Sequence, residues 1–87
     1  MSEWKVISTE TFSSVIKKHK KDKQLLNELD KKIKRLQDDP HSVGGYLSGR
    51  LHGSKSTRLV GKYRLVFEID EKGKSVYLKA LDHRKFD

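Results

Sequence analysis

The segment Leu59–Ile69 has the sequence LVGKYRLVFEI and is the most strand-like run in the chain. From Tyr63 onward apolar and polar residues alternate, and β-branched and aromatic residues of this kind suit a half-buried pleated surface. Gly61-Lys62 before them is typical of a tight turn or bulge. One face of the predicted strand carries the apolar stripe Tyr63, Leu65, Phe67 and Ile69. The opposite face carries Arg64, Val66 and Glu68, so the strand presents one arginine away from its apolar stripe.

The composition is that of a small basic domain. The chain has 87 residues, a formal net charge of +8 and no cysteine. This length predicts one domain, residues 1–87, and the lack of cysteine excludes a disulfide framework and a thiolate zinc site. No N-terminal apolar run is long enough for a signal peptide or a membrane span, so we expect a cytoplasmic protein. The positive charge favours a polyanion or an acidic protein as partner, although it also serves solubility alone.

Apolar periodicity predicts a strand, two helices and then three or four strands. The predicted elements are a strand over Glu3–Ser8, a helix from Ser8-Thr9-Glu10 to about Lys20, a second helix from Asp22 to Asp38, and strands within Tyr46–Leu51, Lys55–Val60, Tyr63–Ile69 and Ser75–Leu81, followed by a charged tail from Asp82. Short connections between strands predict antiparallel pairing, with the helix hairpin covering one face. The fold class is therefore α+β, and Arg64 and Glu68 should point to the open face.

A dense basic run, Lys17–Lys21 (KKHKK), ends the first predicted helix. Its ordinary interpretation is a solvated helix end, where cations complement the helix dipole. Contact with phosphates is the alternative. His19 lies on the apolar stripe of the helix and is predicted to be a packed or boundary residue, because no partner stands at metal-ligand spacing.

The segment His41–Gly53 (HSVGGYLSGRLHG) contains four glycines. It lacks the strand-then-helix context of a phosphate-binding loop, and no GKS or GKT follows, so nucleotide binding is not expected. His41 and His52 are predicted to face solvent.

Two segments carry a longer pattern. The first runs from Leu47–Gly53 (LSGRLHG) to Val60–Ile69 (VGKYRLVFEI), a glycine-spaced loop followed by V-G-x-Y-R and hydrophobic residues. The second is Leu81–Lys85 (LDHRK). In this order, behind two basic helices, they resemble the RelE/ParE superfamily of type II toxin–antitoxin toxins from Trp4 to Lys85. The resemblance implies a RelE-like fold, similar to that of microbial ribonucleases.

The resemblance also implies an activity: an endoribonuclease that cleaves mRNA in the ribosomal A site and is silenced by a small acidic antitoxin similar to RelB. In that family the arginine of the Y-R motif and the arginine at the end of the last strand contact the scissile phosphate. These positions correspond to Arg64 and Arg84. The remaining basic candidates, assigned to the RNA backbone, are Lys55, Arg58, Lys62, Lys85 and Arg50, and Arg58 could stand one residue out of phase with the family pattern.

Metal-independent RNA cleavage needs a base for the 2′-hydroxyl, positive charge on the phosphorane and an acid for the 5′-oxygen. A guanidinium fork matches phosphate oxygens, so Arg64 and Arg84 are assigned as transition-state stabilisers. His83 has a suitable ordinary pKa and is assigned as general acid or base. No metal or organic cofactor is expected.

Each assignment has an ordinary alternative. Arg64 could be a surface arginine paired with Glu68, and Arg84 with Lys85 could form a plain basic tail. Glu68 could be a general base, although a cross-strand partner of a lysine is the simpler interpretation.

One departure from the family pattern bears on catalysis. Many RelE-type nucleases have a tyrosine shortly after the last-strand arginine, whereas this chain ends in Phe86-Asp87. Phenylalanine can stack on a base but cannot transfer a proton. His83 therefore becomes more important as the candidate for proton transfer. A ParE-like inhibitor of DNA gyrase and a catalytically silent RNA-binding domain are the competing functions, and the histidine beside Arg84 favours the nuclease.

Overall fold

The computed structural model describes residues 4–46, 53–61 and 63–83, except for the side chain of His83. The elements in chain order are β1 (Lys5–Ser8), α1 (Glu10–Lys18), α2 (Lys23–Asp38), a 3₁₀ turn (Pro40–Ser42), β2 (Gly45–Tyr46), β3 (Lys55–Arg58), β4 (Tyr63–Asp70) and β5 (Ser75–His83). Over these residues the strands form one sheet in the order β1-β5-β4-β3-β2. The helices pack on one face of this sheet, and the predicted α+β fold is confirmed.

Both helices begin with a side-chain cap. The Thr9 hydroxyl accepts a hydrogen bond from the Phe12 backbone N–H at 3.3 Å and donates one to the Leu78 carbonyl at 2.7 Å. The Asp22 carboxylate accepts from the Leu25 N–H at 3.1 Å. Such caps satisfy backbone donors that have no partner within the helix. Thr9 in addition ties the start of α1 to β5.

The core lies between the helices and the sheet. Its fully buried members include Leu25 and Leu36 from α2 and Leu65, Phe67 and Leu78 from the sheet. Tyr63 and Ile69 pack at its margin, so the apolar stripe of β4 faces the helices as predicted. Each such side chain contributes roughly 1.5–3 kcal/mol by leaving water. The strand therefore has a defined inner face, and residues of the opposite parity lie on the outer face.

The sheet is mixed rather than purely antiparallel. Strands β2 to β5 pair antiparallel, as their short connections predict. Strand β1 pairs parallel with β5, with Val6 opposite Val76. A parallel pairing needs a long crossover connection. Here the connection includes the helix hairpin, and it brings the two sequence-distant strands together at one edge.

Several boundaries differ from those predicted. Helix α1 ends at Lys18 instead of Lys20, and β3 ends at Arg58 instead of Val60, because Leu59 and Val60 form the turn into β4. Strand β2 occupies only Gly45–Tyr46, and residues 47–52 lie outside the described residues. Strand β5 continues to His83, so Asp82 and His83 belong to the sheet and not to a tail.

None of the described helices combines the length and the apolar character needed to cross a membrane.

Candidate functional site

Three charged residues, which we call the arginine row, lie side by side across one end of the sheet. Arg58 on β3 stands opposite Arg64 on β4, and Arg64 stands opposite Asp82 on β5. Residues directly opposite each other on antiparallel strands share a face. Arg64 has the parity opposite to the buried Leu65, so the row lies on the face away from the helices. Arg58 and Asp82 are exposed and Arg64 is half-buried.

The row brings two like charges together. Directly opposite residues have Cβ atoms about 4.5–5.5 Å apart, and like charges at that spacing destabilise a sheet. Within residues 4–46, 53–61 and 63–83, no ion pair includes Arg58, Arg64 or Asp82. Both guanidinium groups therefore keep their donors for an external anion. Phosphate suits them, because the guanidinium fork can bind two of its oxygens at once.

Asp82 joins the row through an irregularity in β5. Val66 pairs with Ala80 but Phe67 pairs with Leu78, so Lys79 is an extra residue on β5. Without this bulge the alternation from Val76 and Leu78 would place Asp82 on the helix face. Bulges of this kind re-aim side chains near functional sites. The sequence interpretation missed Asp82, although the three-residue spacing between the apolar Leu78 and Leu81 was an available signal.

Glu68 is occupied by a lysine and not by Arg64. The Lys79 Nζ lies 3.5 Å from the Glu68 Oε2, on the outer face of β4 and β5. This confirms the simpler interpretation of Glu68, a cross-strand partner of lysine. It also removes the Arg64–Glu68 pair that would have made Arg64 an ordinary surface residue.

Several predicted site residues fall outside the described part of the chain. His83 ends β5 opposite Tyr63, one position after Asp82, and its side chain is not described. Arg84, Lys85, Lys62 and Arg50 lie outside the described residues. Their assignments stay predictions.

Lys55 is buried, and its ammonium group is bonded within the protein. It is only 3% exposed, and its Nζ donates to the carbonyl oxygens of Pro40 at 3.3 Å and His41 at 2.9 Å. It stands opposite Phe67, so its side chain leaves the sheet on the helix side, away from Arg64. The ammonium also lies 5.1 Å from the centroid of the exposed Tyr46 ring. The contacts give Lys55 the role of anchoring the segment before β2, and the proposal below leaves it out of the RNA surface.

His19 and His41 lie in different environments. The His19 ring meets the Tyr63 ring edge-on at 5.3 Å, which agrees with a packed boundary residue. His41 is exposed, as expected, and its Nε2 lies 2.6 Å from the Glu71 Oε1. This pair lies at the β4–β5 turn, at the other end of β4 from Arg64.

In the part of the chain that the structure describes, no three His, Asp or Glu side chains are grouped so that they could hold a metal ion.

Comparisons with solved structures identify the fold. A chain of the toxin–antitoxin complex RelBE2 from Mycobacterium tuberculosis is similar over 97% of this chain and 94% of its own length, with a TM-score of 0.71 and 28% identity. The YoeB/ParE toxin from Agrobacterium tumefaciens is similar in fold over 93% of this chain and 99% of its own, with a TM-score of 0.80 and 16% identity. No model of a protein family and no curated protein matches the chain.

Proposed function

We propose that this chain, which has the fold of toxins of the RelE/ParE superfamily, is an endoribonuclease that cleaves mRNA in the ribosomal A site. The observation that carries the proposal is the row on the outer face of the sheet, where Arg58 and Arg64 stand side by side without an ion-pair partner among the described residues. Two adjacent guanidinium groups form a site for a phosphodiester.

The arginines would act on the phosphate as negative charge accumulates. In the proposed step the ribose 2′-oxygen attacks phosphorus, the bond from phosphorus to the 5′-oxygen breaks, and a cyclic phosphate and a 5′-hydroxyl result. The pentacoordinate intermediate carries one more negative charge than the diester. Fixed cations aimed at that charge stabilise it more than the ground state. We assign this role to Arg64 and Arg84, and Arg58 would hold the neighbouring backbone.

Asp82 stands opposite Arg64 on the same face of the sheet. Proton transfer is assigned to His83, which follows Asp82 at the end of β5. The 2′-hydroxyl must lose a proton and the 5′-oxygen must gain one, and an imidazole is suited to either transfer near neutral pH. The proposed acid–base chemistry therefore depends on His83.

The proposed protein partner is a small acidic antitoxin similar to RelB. The Mycobacterium protein is described as part of a toxin–antitoxin complex. A chain with a net charge of +8 would attract an acidic partner over a long range. An antitoxin that covers the arginine row would exclude RNA from it. The proposed site of action is the ribosome, in the cytoplasm.

A ParE-like inhibitor of DNA gyrase is the second candidate, because one structural neighbour is described as a YoeB/ParE toxin. For such a toxin the outer face of the sheet would have no need of adjacent, unpaired arginines. A silent RNA-binding domain would use the arginine row but not the histidine.

Two reactions separate the nuclease from the gyrase inhibitor. The purified chain is added to an extract that translates a preformed mRNA, which needs no gyrase, and to a gyrase supercoiling reaction. We expect translation to stop and supercoiling to proceed, and Arg64→Ala to restore translation. Inhibited supercoiling with normal translation would instead identify a gyrase inhibitor.

A further inference from the structure

The turn between the helices is a second concentration of positive charge, separate from the arginine row. We call residues 17–23 (KKHKKDK) the lysine turn; it contains five lysines. All five are exposed. Asp22 is the acidic residue within it, and its carboxylate caps α2 by accepting from the Leu25 N–H. The lysine turn therefore presents a compact patch of point charges at one end of the helix hairpin.

The lysine turn has a defined backbone. His19 donates its N–H to the Ile16 carbonyl at 3.0 Å, and the Asp22 N–H bonds the His19 carbonyl at 2.9 Å. The His19 ring packs on Tyr63, the residue before Arg64. This contact fixes the lysine turn beside the end of the sheet that carries the arginine row. The lysine turn therefore lies at the same end of the sheet as the arginine row but in the helix layer, whereas the row lies on the opposite face of the sheet.

The lysines of the turn differ from those on α2 in their partners. Lys31 pairs with Glu28 at 3.9 Å and Lys34 pairs with Asp30 at 3.3 Å. Among the described residues no ion pair includes a lysine of the lysine turn. Like charges so close repel one another in the free protein, and an external polyanion relieves that repulsion.

We propose that the lysine turn binds the phosphate backbone of double-helical RNA, outside the site of cleavage. The inference rests on the proposed function and names a second RNA contact for it. Binding of single strands uses aromatic side chains on which bases stack. The lysine turn has no such side chain to offer, because its one ring, His19, packs on Tyr63. Lysine ammonium groups contact backbone phosphates without reading sequence.

The test compares two triple variants that remove equal charge. One is Lys18→Gln/Lys20→Gln/Lys21→Gln in the lysine turn, and the other is Lys31→Gln/Lys32→Gln/Lys34→Gln on α2. Both lower the net charge by three, so the overall field is matched. Circular dichroism and thermal unfolding establish that each variant is folded. The probe is a 16-base-pair RNA duplex with 2′-O-methyl groups throughout, and its affinity is measured against potassium chloride concentration.

We expect the lysine-turn variant to lose about tenfold or more in affinity at low salt, and its slope of log K against log[salt] to shrink by about 2 to 3. The α2 variant should keep most of its affinity at low salt and most of its salt-dependence slope. Equal losses in the two variants, or an unchanged slope in the lysine-turn variant, would overturn the inference. The methylated probe has no free 2′-hydroxyl, so this result does not depend on whether the chain cleaves RNA in a translating extract.

Discussion

At the scale of single residues, the face on which a basic side chain lies decides its role more than its charge does. Arg64 and Lys55 are both basic residues on neighbouring strands. Arg64 leaves the sheet on the outer face, whereas Lys55 is opposite Phe67 and bonds the carbonyls of Pro40 and His41. In an alternating strand Lys55 falls on the same face as Leu59, which is buried, and this could be read from the sequence. Its carbonyl partners were not, because they come from a segment with no regular period.

The anchoring role of Lys55 predicts a loss of stability on Lys55→Met. Methionine keeps most of the apolar stem but leaves two carbonyl oxygens without their donor, which costs about 1–3 kcal/mol. Urea unfolding would measure the change, with Lys72→Met in the exposed β4–β5 turn as the control. Unchanged stability together with weakened RNA binding would return Lys55 to the RNA surface.

The assignment of His83 as a proton donor or acceptor predicts that His83→Gln slows cleavage by about 10²- to 10⁴-fold. RNA affinity should change little, because glutamine removes the titrating group and not a cation held on phosphate. His41→Gln is the matched control, since His41 is paired with Glu71 at the other end of β4. A fully active His83→Gln variant, or an equal loss in both variants, would exclude this role.

At the scale of elements, β2 depends on one glycine. Gly44 has a φ of +67°, and a Cβ there would overlap the carbonyl oxygen of Ser56 on β3. Glycine is thus required both by the backbone conformation and by the close approach of the two chains. The glycine-rich composition predicted a loop in this region, but it did not distinguish this position from Gly45.

We predict that Gly44→Ala lowers the free energy of unfolding by about 2–4 kcal/mol, from backbone strain and overlap together. Gly45→Ala should change it by less than about 1 kcal/mol, because a Cβ at Gly45 meets no atom within 4 Å. Chemical denaturation of the two variants side by side makes the comparison. Similar values for both would show that the approach of β2 to β3 tolerates a side chain.

Pairing between elements was predictable only where it was local. The hairpins of β3, β4 and β5 follow from short connections and turn residues. The parallel pairing of β1 with β5 joins residues about as far apart in the chain as this fold allows, and no local pattern encodes it. The bulge in β5 was partly predictable. The spacing of Leu78 and Leu81 indicates the bulge, but only once the strand is known to continue past Leu81.

At the scale of the whole molecule, a net charge of +8 becomes informative through its distribution. Lys31 and Lys34 on α2 and Lys79 on β5 are paired with carboxylates. In the described part of the chain, no ion pair includes a residue of the arginine row or a lysine of the lysine turn. The contact of His19 with Tyr63 brings both unpaired groups to one end of the sheet. The sequence motifs predicted the fold and the position of Arg64, but this shared end emerges only from the packing of α1 against β4.

The central claim is that Arg64 and Arg84 stabilise the phosphate during cleavage. The most direct measurement is primer extension on an mRNA in a translating extract, with wild type, Arg64→Ala, Arg84→Ala and, as a matched control, Arg35→Ala on the exposed face of α2. We predict cuts within codons for wild type and Arg35→Ala, and a loss of about 100-fold or more in both other variants. Undiminished cuts in Arg64→Ala, or no cuts by the wild type while translation continues, would contradict the claim.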